Sequence, residues 1–415
     1  DEEHEQSYKQ QDPAPRYHAR NSAIVLARLC GAHTLLGTAT PALETYHNVS
    51  TGKYGLVKLT GRYGNVRLPE VEVVDIRELQ HKRRMHGPFS PRLLEAMRMA
   101  LENKEQVILF QNRRGYAPMI ECRACGWVPK CKNCDVSLTY HKGLNKMTCH
   151  YCGFTCQMPA QCPACEGEEL MQLGFGTEKI EALVHEIFPH VSVARMDLDT
   201  TRSRSAYEGI LRGFQEGKTD VLIGTQMVTK GLDFDRVSVV GILNADAMFN
   251  LPDFRSYERA FQLMAQVAGR AGRRSRQGLV VLQTKSPELA LVSQVREHDY
   301  AGLYTQQMEE RQMFTFPPFC RLIYVYMKHR QVDTLDRLAA EAGVRLRAVF
   351  GSRILGPDAP PVSRIQLLYI RKIVIKVEPG ASLSLVRGHL LRIREELLAH
   401  PDYRSAQIYF DVDPV

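Results

Sequence analysis

The sequence contains no match to GxxxxGK[ST], the loop whose backbone amides and lysine cradle nucleotide phosphates. Its nearest approach, GFQEGKT at 213–219, is one residue short and runs in the wrong order. A helical pattern precedes it and the strand-like DVLIGT follows, whereas a phosphate loop leads from a strand into a helix N-terminus. The segment reads as a helix C-terminal turn with Gly217 at the stop. These 415 residues therefore hold no self-contained phosphate-loop site. No apolar run reaches the roughly 18 residues of a transmembrane helix, and there is no secretory leader pattern, so the expectation is a cytoplasmic protein with no membrane partner. Low-complexity tracts are absent, and the only internal repetition is a set of CxxC pairs.

What is present fits two or three domains with sizeable cores. The apolar fraction is 44% and the charged fraction 24%, ordinary for a soluble chain. The net charge of +8 is concentrated. Residues 321–376 hold eleven Lys/Arg against four Asp/Glu, and residues 254–276 hold six Arg against one Glu, which suits a polyanion such as nucleic acid. Eight of the eleven cysteines form four CxxC pairs within 122–165, a pattern that favours metal over disulfide where no export signal is found. Cys30, Cys156 and Cys320 fall outside the pairs and read as packing residues.

Short β-branched runs alternate with helical patterns through residue 285, the mark of a parallel-sheet α/β lobe. The strands expected are HTLLGTA, VEVVDI, VILFQN, SVARMD, VLIGT, VSVVGIL and GLVVLQT; SPRLLEAMRMALEN and RSAYEGILRGFQEG are expected helices. The stretch 77–88 breaks the pattern as a linker, and the Cys-rich segment interrupts the second block as an insertion. After the prolines of FTFPPF the order becomes β-α-β-β-α-β, a split βαβ sandwich with helices over 332–349 and 383–399.

Four stretches carry chemistry. DEEH at 1–4 is the kind of tetrad with which a motor holds Mg²⁺ and polarises an attacking water, through Asp1 and Glu2. GTATP (37–41), GTQMVTKGLDF (224–234) and QVAGRAGR (266–273) follow in order. On a continuous helix Gln266, Arg270 and Arg273 would share one face, with Gly269 and Gly272 allowing close approach. Two guanidiniums so placed can reach a triphosphate as arginine fingers do. Tyr8, Tyr17 and His18, interleaved with Lys9 and Arg16, suit base stacking beside phosphate contact, so these five are candidate DNA-binding residues.

The cysteine spacing is CxxC, five residues, CxxC, fourteen, CxxC, nine, CxxC, enough for two closed Cys₄ sites and two structural Zn²⁺ per chain. An iron–sulfur cluster is the rival. Three pairings of the knuckles are possible, and the nested one is expected. Cys131, Cys134, Cys149 and Cys152 would hold an inner ion across a ribbon-like loop; Cys122, Cys125, Cys162 and Cys165 would hold an outer ion that brings the two ends of the insert together.

The ordered motifs resemble superfamily 2 helicases, and with a double Cys₄ insert they resemble one family closely, the PriA primosomal replication-restart helicases. The stretches that carry the resemblance are DEEHEQSYKQ, RYHAR, GTATPALE, NRRGYAP, GTEKIEAL, GTQMVTKG, QVAGRAGR, GPDAPP and DVDP. The resemblance implies a RecA-like parallel-sheet lobe bearing the two-zinc insert, followed by an α+β C-terminal domain. It implies residues 1–78 as the end of lobe 1, 79–88 as linker, 89–120 and 169–290 as lobe 2, 121–168 as the insert and 291–415 as the C-terminal domain. It further implies a fragment of an ATP- and Mg²⁺-dependent 3′→5′ helicase that acts on forked or single-stranded DNA and restarts replication in the nucleoid. Single-stranded DNA-binding protein and primosome or helicase-loading proteins would be partners. Lys230, Asp233, Gln266 and Gly269 would contact nucleotide, and Thr38 and Thr40 would couple the lobes. The rival class is a non-enzymatic, zinc-bearing module for DNA or a protein partner.

Overall fold

The structure is a computed structural model. It describes all residues except 60, 62–66, 113–118, 123–124, 126, 134–135, 142–144, 150–151, 153, 174–175, 198–199, 202, 230–233, 251–252 and 273–276. The chain divides into two compact units, one of residues 55–121 and 170–307, the other of 1–54, 122–169 and 308–415.

The first of these is a parallel α/β lobe. Its six strands lie in the order Glu70–Asp75, Leu279–Thr284, Val237–Ile242, Gln106–Phe110, Val221–Gly224, Val193–Met196, every adjacent pair parallel. The central strands are buried on both faces, which is why they read as unbroken apolar runs. Period-two alternation splits them between two cores. Val107 and Leu109 pack with Leu93, Met97, Ile180 and Val184 from helices Pro91–Glu102 and Thr177–Ile187. Ile108 and Phe110 pack on the other side with Phe214, Phe261, Met264 and Val267. Gly217 follows the helix Arg204–Gln215 at φ +75°, the left-handed stop its sequence implied.

Two expected boundaries move. Residues 70–75 were expected at the end of lobe 1 but form an edge strand of this sheet, in register with 279–284. The expected linker begins instead in a helix, Ile76–His81, capped by the Asp75 carboxylate on the Arg77 amide. Buried Gln283 then fixes the linker's end by donating to the Pro88 carbonyl at 2.8 Å and accepting from the Ser90 amide at 2.8 Å. Likewise the C-terminal domain does not start at 291, because Leu291, Val292, Val295 and Leu303 complete the lobe's core. Strand pairing over 200 residues and the docking of a late helix are tertiary facts that local pattern does not carry.

In the other unit the C-terminal residues form strands Arg321–His329, Ile354–Asp358, Arg364–Ile365, Leu368–Val377 and Gln407–Val412 with helices Val332–Phe350 and Leu383–Ala399. This is the expected β-α-β-β-α-β order with one addition, the two-residue strand Arg364–Ile365, which pairs with Leu368–Val377 beside the main path of the sheet. The sheet is antiparallel, and Gln407–Val412 is an edge strand paired with Arg321–His329. One face buries Ile323, Val325, Met327, Ile373 and Ile375 against Leu338, Leu346, Leu390 and Ile393 of the two helices. The opposite face carries half-buried Tyr324, Tyr326, Lys328, Lys372 and Tyr409.

The strand expected over 33–39 is not formed: residues 32–38 join no ladder, and Leu35 is 91% exposed. A β-branched run becomes a strand only beside a partner, and none pairs with it among the described residues. Cys30 was expected in a packed position but is exposed at the end of helix Ala19–Leu29; Cys320 is buried as expected, and Cys156 is only half-buried, in strand Thr155–Gln157.

Candidate functional site

DEEH and GTATP are brought together. The His4 ring Nδ1 lies 2.8 Å from the Thr38 hydroxyl, which donates to Glu2 Oε2 at 3.3 Å and accepts from the Thr40 amide at 3.1 Å. The Glu3 amide donates to the Gly37 carbonyl at 3.2 Å. The three acidic residues then divide their work. Glu3 is turned inward and spent on structure: it accepts from the Ala42 amide and the Arg20 guanidinium, each at 2.6 Å, and from the Thr45 hydroxyl at 2.9 Å. It thereby holds the start of helix Leu43–Ser50. Asp1 is exposed and Glu2 half-exposed, so the two carboxylates assigned to Mg²⁺ and water are the two open to solvent. Hard oxygen donors of this kind suit Mg²⁺.

In the parallel lobe GTQMVTKG begins at the C-terminal end of strand Val221–Gly224 and continues as the 3₁₀ turn Gln226–Thr229, at the edge where α/β sheets take ligands. A side chain at Gly224 would stand 2.0 Å from Val228 Cγ1, so the tight return requires glycine. Helix Ser256–Ala268 packs on that turn. The QVAGRAGR segment corrects the single-face reading. The helix ends at Ala268 with Gly269 as its cap, and Gly272, at φ +66°, turns the chain so that its amide donates to the Val237 carbonyl at 2.9 Å. Gln266 is thus on the helix while nearly buried Arg270 projects from the turn beyond it. Lys230, Asp233 and Arg273 lie outside the described residues.

The loop after the tetrad also departs from expectation. Lys9 is 6% exposed, and its ammonium sits 2.8 Å from Asp411 Oδ1 while donating to the Val412 carbonyl at 2.7 Å and the Arg16 carbonyl at 3.1 Å. With two donors spent on backbone carbonyls and its charge paired with Asp411, the buried ammonium is not placed to meet a phosphate. Arg16 pairs with Asp12 at 2.6 Å and lies 4.1 Å above the Tyr409 ring. Tyr17 is exposed; Tyr8 and His18 are half-buried.

The cysteines assemble as nested sets. The sulfurs of Cys122, Cys125, Cys162 and Cys165 lie within 4.8 Å of one another, and so do those of Cys131, Cys149 and Cys152. Cys134 lies outside the described residues. Cys122–Cys165, Cys125–Cys162 and Cys131–Cys152 are 3.6, 3.7 and 3.6 Å apart. A disulfide would need about 2.05 Å, whereas ligands of a tetrahedral zinc with 2.3 Å bonds stand roughly 3.8 Å apart. Sulfurs this close also leave no room for several irons between them. One device builds all four knuckles: the first cysteine's amide donates to the carbonyl five residues on, Cys122 to Trp127, Cys131 to Val136, Cys149 to Phe154 and Cys162 to Gly167, at 2.7–2.9 Å. The outer set shows its crowding in its acidity. The Gly167 amide favours the Cys165 thiolate, but the neighbouring Cys125 and Cys122 thiols together outweigh it and push the group up to about 12. Four thiolates coexist there only around a cation, and both sets are compatible with zinc.

Family models match three stretches: the PriA DNA helicase Cys-rich region domain at 131–156, the helicase conserved C-terminal domain at 171–275, and the primosomal protein N C-terminal domain at 312–415. The replication restart protein PriA of Bacillus subtilis is 40% identical over 416 residues, which covers 100% of this chain and 51% of that protein. The chain belongs to the PriA family. Haemophilus influenzae PriA is 40% identical over 88% of the chain and 50% of its own length, and Rickettsia conorii PriA is 36% identical over 100% and 62%. The chain thus spans about half the length of the first of these relatives.

Motif reading of a PriA-family chain misses residues that stand outside motifs. Arg311, 1% exposed, pairs with Glu44 of the helix after GTATP at 3.2 Å and donates to the Pro317 carbonyl at 3.2 Å. The open face of the C-terminal sheet was also missed as a surface. Tyr326 and Tyr409 stack at 5.2 Å, Lys372 lies 4.6 Å over Tyr324, and Lys328 lies 5.1 Å over Tyr409. The alternation Tyr324, Tyr326, Lys328 within YVYMK was the available signal.

Proposed function

We propose that this chain contributes the DEEH segment and second lobe of an ATP- and Mg²⁺-dependent 3′→5′ DNA helicase that restarts replication at forked DNA, in the cytoplasm at the nucleoid. The observation that carries the reading is the pairing of His4 with Thr38, which joins the acidic tetrad to GTATP, within a chain similar to PriA along its whole length. Asp1 and Glu2 would hold Mg²⁺ and orient water. Gln266, Gly269, Lys230 and Asp233 would meet the nucleotide, and Arg270 and Arg273 would neutralise charge on the phosphoryl group. The eight CxxC cysteines would hold two structural zinc ions with no open position. Tyr8, Arg16, Tyr17 and His18, beside the basic aromatic face of the C-terminal sheet, would contact single-stranded DNA by stacking and charge. Single-stranded DNA-binding protein and helicase-loading proteins are the partners the family resemblance suggests.

These 415 residues hold no phosphate loop, so they are expected to bind DNA and zinc without turning over ATP. The test is phosphate release on forked DNA from this chain and from a longer protein that also carries a phosphate loop. Turnover by the longer protein alone supports the reading. Turnover by these residues overturns the half-site assignment, and turnover by neither favours the non-enzymatic binding module.

A further inference from the structure

Residues 9–18 form a loop closed on itself. Lys9 and His18 bridge as a short antiparallel pair, and the Gln10 amide donates to the Tyr17 carbonyl at 2.9 Å. The Gln10 side chain donates to the carbonyls of Pro13 at 2.7 Å and Pro15 at 3.0 Å. This compact loop meets the edge strand Gln407–Val412 at two alternate residues, which share a face of the strand. Arg16 covers Tyr409, and Lys9 is captured by Asp411 and the Val412 carbonyl. The Lys9 side chain is 1% exposed and that of Asp411 14%, so the ion pair is largely out of water, and the ammonium is held in place by its bonds to the Val412 and Arg16 carbonyls. On the other side of Lys9 a single 3₁₀ turn, Gln6–Tyr8, leads back to the tetrad, and the Tyr8 hydroxyl donates to the Asp1 carbonyl at 2.8 Å.

We propose that Asp411 is a positioning residue for the tetrad, acting through Lys9: the C-terminal sheet sets where Asp1 and Glu2 stand and reports to them what its open face has bound. The proposal rests on the motor reading above. Its logic is geometric. Tyr409 lies on the open face beside Tyr326 and Lys328, and it also carries Arg16. A single strand of nucleic acid stacking there would compete for Tyr409 and attract Arg16. That displaces the loop against its fixed point at Lys9, eight residues from Asp1. Lys9 is then a buried transmitter and not a phosphate contact, and the two roles differ in what they predict.

The experiment uses the full-length protein with Asp411→Asn, Lys9→Met and the double variant, reading ATP turnover against DNA concentration at several salt concentrations. The expected result is a roughly 2- to 30-fold fall in kcat at saturating DNA for each single variant. The double variant should lose no more than the worse single, because the two residues act as one unit. The DNA concentration for half-maximal stimulation and its salt slope should stay at wild-type values. Unchanged kcat, additive losses, or a Lys9→Met protein with weaker DNA binding and a salt slope reduced by about one would each overturn the proposal. If the wild-type protein shows no DNA-stimulated turnover, the motor reading has failed instead. The clamp itself is then judged by hydrogen exchange in the 415-residue chain. Amides of residues 1–17 should exchange faster in Asp411→Asn while those of the C-terminal helices hold, and unchanged exchange overturns the clamp.

Discussion

The sulfurs of Cys122 and Cys165 lie 3.6 Å apart although 43 positions separate them in sequence. That contact makes the two ends of the insert one site and leaves the inner cysteines to a second. The inner set also has its own framework, a three-stranded antiparallel sheet of Thr139–His141, Lys146–Thr148 and Thr155–Gln157. We expect two zinc ions per chain, and one after the paired change Cys122→Ser/Cys165→Ser. The inner ion should be retained, because its sheet closes without the outer knuckles. Structural zinc contributes roughly 10–16 kcal/mol of apparent binding free energy, so the loss should release the ends of the insert to protease. Metal counting decides it: loss of both ions from that variant, or a single ion in the wild type, defeats the nested arrangement.

The nested pairing was legible because spacing limits how knuckles can meet, and the parallel lobe was legible because doubly buried strands must be apolar throughout. The missed features are long-range ones. VEVVDI reads locally as a strand, but which sheet it joins depends on Leu279–Thr284 beside it, and nothing local names that partner. Lys9 was assigned to DNA because a lysine among aromatics looks like a phosphate contact; only the fold brings Asp411 to it. In QVAGRAGR the 3.6-residue periodicity continues past Ala268 in the sequence, whereas Gly269 and left-handed Gly272 end the helix in space.

The hairpin between Arg364–Ile365 and Leu368–Val377 turns on Gln366 and Leu367, at φ +50° and +66°. Two-residue hairpins of this hand favour Asn-Gly, and a non-glycine residue in the left-handed region costs roughly 1–2 kcal/mol. The position tolerates that cost while the Leu367 amide donates to the Asn133 carbonyl of the second knuckle at 2.9 Å. We expect Gln366→Asn/Leu367→Gly to raise stability by about 1 kcal/mol with zinc content unchanged, since the amide that reaches Asn133 remains. Denaturant unfolding checks it, and a lower midpoint would show that the Leu367 side chain matters more than the strain.

The open face of the C-terminal sheet gives a salt-dependence prediction. Lys372 lies over Tyr324 at 4.6 Å with its ammonium toward the face proposed for DNA. Each phosphate neutralised contributes roughly one unit to the slope of log affinity against log salt. Lys372→Ala should therefore weaken binding to every single-stranded sequence alike and reduce the slope by about one. Tyr326→Ala should weaken binding by about 1–3 kcal/mol through lost stacking, with the slope unchanged. Binding isotherms at three salt concentrations separate the two. An unchanged slope for Lys372→Ala would place the DNA elsewhere.

Arg311 and Glu44 make the sharpest stability prediction. The guanidinium is 1% exposed and the carboxylate 23%. Glu44 sits in the helix whose start Glu3 holds through the Ala42 amide and Thr45, so one short helix is fixed from the tetrad on one side and from Arg311 on the other. Removing the carboxylate leaves a buried positive charge short of an anion, a change that costs about 3–5 kcal/mol where burial is complete. Glu44 is partly exposed, so Glu44→Ala should fall near the lower end, about 3 kcal/mol. Glu44→Gln should cost less, because the amide oxygen can still accept from the guanidinium. Replacing both partners, Glu44→Leu/Arg311→Met, should recover much of the loss, since an apolar pair needs no counter-charge. Equilibrium unfolding of the three variants tests the order. If Glu44→Ala and the double variant are equally unstable, packing of the arginine stem, rather than its charge, is what holds this helix.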